Sequence, residues 1–141
     1  MSLSFGANIP FVEHLGFTLE RFEGGHSEMH YTPRPEHLNS FDVTHGGACM
    51  TFLDVILATA ARSAQPDMGV VTIEMKTSFM RPAKGKLIGK GRLMHRTRSM
   101  AFSEGTIYNE AGEVCAHATG TFKYVQGAPG VGGAGQPIST D

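Results

Sequence analysis

Asp54 stands alone in an apolar stretch, with Ala48, Cys49, Met50, Thr51, Phe52 and Leu53 before it and Val55, Ile56, Leu57 and Ala58 after it. Nine residues upstream lies the triplet His45-Gly46-Gly47, and Asn39 precedes that histidine by six. Burying an unpaired carboxylate is costly and raises its pKa, so a carboxylate at the centre of a chain's most hydrophobic segment points to use as a base or nucleophile. The plainer alternative is an Asp that faces a rim or pairs with a hidden cation. Two glycines at a helix entrance leave N–H groups without intrahelical partners, at the end of the dipole that favours negative charge. Such donors suit a carbonyl oxygen that becomes anionic, although the same glycines can simply make a tight entry into a helix. His45 is a second possible base, or a side chain that only fixes the loop.

The elements that must position these residues can be read in outline. Gly46 to about Ser63 is the one long helical candidate, apolar nearly all the way round, so other structure must enclose it. Nine residues advance a helix by about 13 Å and roughly two and a half turns, which sets Asp54 on the side opposite His45 and Gly46. One copy of the helix cannot bring both to a single carbonyl, whereas two antiparallel copies across a two-fold axis can. Residues 8–15 suggest a short helix ending at Gly16, and segments 17–22 and 26–32 a hairpin around Gly24-Gly25. Segments 70–80, 86–98, 100–108 and 113–125 read as strands, the last two joined across Asn109-Glu110-Ala111-Gly112. Strict alternation sets Val71, Ile73, Met75, Thr77 and Phe79 on one face, and Lys86, Lys90, Arg92, Arg96 and Arg98 opposite Leu87, Gly89, Gly91, Leu93 and His95. The result is an α+β domain over residues 1–125, a curved antiparallel sheet of five to six strands around one helix, with Gly89 and Gly91 allowing close approach. Residues 126–141, with five Gly and two Pro, read as a flexible tail.

Composition narrows the class. A formal charge of −1 favours neither a nucleic-acid-coating protein nor an acidic tail. Eight of the twelve basic residues nevertheless fall between Lys76 and Arg98, a stretch without Asp or Glu. Two cysteines make no disulfide framework, and no Cys/His spacing matches a metal pattern; His26 and His30, four apart in a strand, lie about 13 Å from each other. The N-terminus has neither the charged region nor the apolar run of a signal peptide, and segment 46–61 is too short to span a bilayer. These features lead to the expectation of a soluble cytoplasmic protein with no metal, no cofactor, and no nucleic-acid or membrane partner.

His45-Gly46-Gly47 opening the helix, Asp54 nine residues on, Asn39 six before, and Phe79-Met80-Arg81-Pro82-Ala83 ending the next strand resemble the PaaI-like branch of the hotdog-fold acyl-CoA thioesterases, over about residues 10–125. The resemblance implies metal-free hydrolysis of an acyl- or aryl-acyl-CoA to free acid and CoA, by homodimers with shared sites that can pair further into a dimer of dimers. It assigns Asp54 as general base or nucleophile, Gly46 as the N–H donor to the carbonyl, Asn39 as a holder of carbonyl or water, His45 as the histidine at the helix entrance and Thr72 as the hydroxyl that orients water. Strict alternation would turn Thr72 away from Val71 and Ile73, so that role requires a bulge or a face met by the partner. For the phosphates of CoA the candidates are Arg81, Arg96, Arg98 and Ser99. Phe52, Met50 and Met80 are candidates for the acyl pocket. Two rivals remain: a hotdog hydroxyacyl-thioester dehydratase, whose family carries His-Phe-Pro-Gly where this chain has His-Gly-Gly, and a non-catalytic acyl-CoA binding or sensing module.

Overall fold

Pro10 opens α1 (Pro10–Leu15), at a position where its missing N–H leaves no bond unmade. β1 (Thr18–Glu23) and β2 (His26–Tyr31) then form a hairpin whose turn residues, Gly24 and Gly25, both have positive φ, 53° and 87°. A two-residue turn matched to strand twist demands that backbone, and glycine adopts it without a Cβ penalty. A 3-10 turn at Pro35–His37 leads to the long helix α2 (Gly46–Ser63), followed by β3 (Met68–Phe79), β4 (Leu87–Arg96), β5 (Met100–Tyr108) and β6 (Val114–Gln126). The computed structural model describes residues 2–127, so most of the expected tail, 126–141, lies outside the described residues. Gln126 pairs with Met68, extending the last strand one residue past the expected boundary.

All six strands form one antiparallel sheet in the order β1-β2-β4-β5-β6-β3, which leaves β3 as an edge. α2 lies across it, burying Phe52, Leu53, Ile56, Leu57, Ala60 and Ala61 completely. Close approach depends on glycine, as anticipated for β4. A Cβ on Gly91 would sit 2.5 Å from Ser27 Oγ and 2.8 Å from the Ile56 carbonyl oxygen, and one on Gly89 would run into the Ile56 side chain. Ser27 Oγ donates to that same carbonyl (2.8 Å), Tyr124 Oη donates to the Ala61 carbonyl (2.7 Å), and the Gly25 N–H donates to Ser63 Oγ (2.8 Å). All three ties fall in the second half of the helix. One side of the helix is not enclosed as its sequence suggested: Met50 is exposed, and Thr51, Asp54, Val55 and Ala58 are only half-buried.

Two bulges overturn the expected strand faces. In β3 the register shifts between Thr72, opposite Phe122, and Glu74, opposite Thr121, so Ile73 is the extra residue. Cross-strand partners share a face. Val70 and Thr72, opposite buried Tyr124 and Phe122, therefore face the helix together with Met75, Thr77 and Phe79, while Val71 faces outward opposite Lys123. In β4 the shift at Met94 sets Arg96 opposite buried Ala101 and thus on the helix side, away from Lys90 and Arg92 on the outer face. The basic residues do not share one face.

Candidate active site

The entrance to α2 is built by its own side chains. His45 is the N-cap: its Nδ1 accepts the Gly47 N–H (2.8 Å), and its carbonyl accepts those of Ala48 (2.9 Å) and Cys49 (3.1 Å). An accepting Nδ1 carries no proton, so the neutral ring holds its hydrogen on Nε2. The remaining donor of the turn, the Gly46 N–H, meets no acceptor among the described residues. Upstream, Asn39 Oδ1 accepts the N–H of Phe41 (2.8 Å) and of Val43 (3.4 Å), a side-chain turn that leaves the Asn39 amide nitrogen as a donor. Asn39 and Gly46 line one cleft of about 550 Å³ whose walls include Phe79, Met80, Cys49 and Cys115. Arg81 also lines it; its guanidinium donates to the Val114 carbonyl (2.7 Å) and lies 3.7 Å from Glu113. Burial pushes the Cys49 thiol up to about 11 and raises that of Cys115, so this wall is neutral.

Asp54 belongs to a different cleft, of about 310 Å³, lined by Phe11, Met50, Thr51, Asp54, Thr72 and Met75. No residue lines both. The carboxylate is not sunk in the interior, as its apolar neighbours suggested, but half-buried and partnered: Thr72 Oγ1 donates to Oδ1 at 2.7 Å. The bulge at Ile73 turns Thr72 toward the helix, which resolves the conflict with strict alternation. Oδ2 has no hydrogen-bond partner among the described residues.

Within one chain the remaining basic candidates lie far from the Gly46 cleft. Arg98 and Ser99 form the β4–β5 turn, where the Ser99 carbonyl accepts the Tyr124 N–H (2.8 Å), and Arg96 approaches the Tyr124 hydroxyl. Cys115, in the cleft wall, precedes Tyr124 by nine strand residues, about 30 Å. Of the acyl-pocket candidates, Phe52 is plain core, Met80 lines the Gly46 cleft and Met50 the Asp54 cleft. Three residues here escaped the sequence reading. Phe11 and Thr51 line the Asp54 cleft, and buried His37 accepts at Nδ1 from the Arg34 N–H (3.2 Å), beside Tyr31 Oη (2.8 Å). Thr51 gives a usable signal, being three residues from Asp54 and so on the same helical face. His37 gives none.

A family model described as the thioesterase superfamily matches residues 41–116, more than half of the chain. The chain belongs to the thioesterase superfamily. Among superfamily relatives, the medium/long-chain acyl-CoA thioesterase YigI of Salmonella typhimurium is 24% identical over 137 residues, covering 84% of this chain and 87% of that protein. The Caenorhabditis elegans protein F42H10.6 is 29% identical over 99 residues, 68% of this chain; the chain spans only 59% of that relative's length. The solved structure of Escherichia coli PaaI, from the phenylacetic acid degradation operon, superposes with a TM-score of 0.80 at 20% identity, covering 86% of this chain and 88% of that one. The superfamily member described here therefore has the hotdog fold.

Proposed function

We propose that this protein is an acyl-CoA thioesterase whose two sites are each shared between the subunits of a homodimer. The observation that carries the reading is the division of labour around α2: an unclaimed Gly46 N–H beside the Asn39 amide in one cleft, and a carboxylate with one free oxygen in the other. Neither cleft alone could polarise a thioester and activate water. Val71, Ile73, Phe79 and Met80, on or just beyond edge strand β3, are all roughly half exposed, as are Phe11 and Met50 near Asp54. Such a patch beside an unpaired edge favours a second copy. Antiparallel pairing of β3 with β3 would set the Met68 end of one chain against the Phe79 end of the other. Thr72 and Asp54 of one subunit would then approach the partner's Phe79, whose ring packs against the partner's Gly46. The Arg96, Arg98 and Ser99 end would approach the same cleft, with Arg81 already lining it, giving the CoA phosphates cationic partners.

In this reading Asp54 Oδ2 takes a proton from water as the water oxygen bonds to the thioester carbon. The Gly46 N–H and the Asn39 amide receive the developing oxyanion, and collapse expels the CoA thiolate, which takes up the proton. His45, whose Nδ1 caps the helix, serves the geometry of the donor rather than the proton transfer. The test is a panel of acyl-CoA substrates with a thiol-release readout, run on the wild type and on Asp54→Asn. The variant is expected to lose hydrolysis by about a thousandfold or more while binding acyl-CoA within a few fold. Substantial retained turnover would remove Asp54 from the role, and binding without turnover by the wild type would favour the sensing module.

A further inference from the structure

Hydrolysis by a general base leaves one hydrogen of the attacking water unassigned: one goes to the base, and the other must be directed so that a lone pair faces the carbonyl. We propose that Thr51 accepts that second hydrogen and is a positioning residue for the nucleophilic water, an inference that rests on the thioesterase reading above. Thr51 and Asp54 are three residues apart on α2, so their Cβ atoms lie about 5–6 Å from each other on one face, a separation that a single water spans. Both line the same cleft, in which Thr51, Asp54 and Thr72 are the polar lining side chains. The Thr51 hydroxyl has already placed its hydrogen, donating to the Gly47 carbonyl (2.9 Å). A hydroxyl whose hydrogen is committed can act toward water only as an acceptor, and that bond also fixes its rotamer. Thr72 has committed its hydrogen to Asp54 Oδ1, which makes the two carboxylate oxygens inequivalent. A water on free Oδ2 can then direct its other hydrogen toward Thr51 across one helical turn.

A merely structural Thr51 would support the helix entrance through Gly47, and losing it would slow every acyl transfer alike. A water-positioning Thr51 acts on water specifically. The experiment therefore uses hydroxylamine as a competing acyl acceptor, which gives a hydroxamate and CoA from the same thioester, with uncatalysed product subtracted. Thr51→Val is expected to lower kcat for hydrolysis about tenfold with KM within about twofold, and to raise the hydroxamate-to-acid ratio several fold; Thr51→Ser should restore most of both. If the melting temperature shows that Val disturbs the helix, Thr51→Ala replaces it with the same expectations. Unchanged hydrolysis, or a fall with an unchanged product ratio, overturns the inference while leaving the thioesterase reading intact. A wild-type protein that turns over none of the panel overturns both.

Discussion

Burial shifts the titration of single groups in this protein, and stability should follow pH accordingly. Burial pushes the Cys49 thiol up to about 11 from 9.0, with Cys115 adding to the shift, and the Tyr31 phenol up to about 12 from 10.0. The folded chain keeps protons that the unfolded chain releases, so this contribution is fully present below pH 9.0 and is lost as pH rises through about 11 and then about 12. His37 works in the other direction. Burial lowers its pKa, so its contribution is present above the ordinary histidine value and lost as pH falls through the folded one. Denaturant unfolding across the alkaline range should show stability declining from about pH 9, with a shallower decline in Cys49→Ala than in the wild type. A flat profile would mean that the thiol is open to water. The same burial predicts that both thiols resist aromatic disulfide reagents at neutral pH until the chain is unfolded.

At the scale of elements, the contact most sensitive to volume is the crossing of α2 over β4. Gly91→Ala would force a methyl against Ser27 Oγ and the Ile56 carbonyl, backbone that cannot rotate aside, and should cost about 2–3 kcal/mol, read as a lowered melting temperature with far-UV dichroism retained. This crossing was legible in the sequence, because glycines at alternate positions of a strand have few other uses. So were the helix limits, since Gly46–Ser63 is bounded by a glycine pair and a polar end, and so was the separation of Gly46 from Asp54, which line different clefts. The bulges were not. Ile73 and Met94 are apolar residues in strand-like runs, and a single extra residue leaves the local composition unchanged while reversing every face on one side of it. That reversal decides where Thr72 and Arg96 point. The open side of α2 was illegible for a related reason: Met50, Val55 and Ala58 look the same whether the chain's own sheet or another surface covers them.

For the whole molecule the central expectation is subunit sharing. Asp54→Ala and Gly46→Pro should each be inactive, the second because proline removes the N–H proposed to meet the carbonyl. Co-refolded heterodimers should recover activity at one of two sites, where the intact Asp54 of one chain meets the intact Gly46 of the other. Gly46→Pro must be shown to fold and dimerise, and verified heterodimers that remain dead would mean that each site is built within one chain. The ties between helix and sheet carry a further consequence. They hold the C-terminal half of α2 at Ile56, Ala61, Arg62 and Ser63, whereas between Gly46 and Val55 the described residues supply one, from Thr72 Oγ1 to Asp54 Oδ1. α2 is a cantilever, clamped along its C-terminal half and held nearer its entrance by packing and a single side-chain bond at Asp54. Amide hydrogen exchange should therefore split the helix in two, slow beyond Ile56 and faster before it, with the fast half slowing as protein concentration rises and a second copy closes over it.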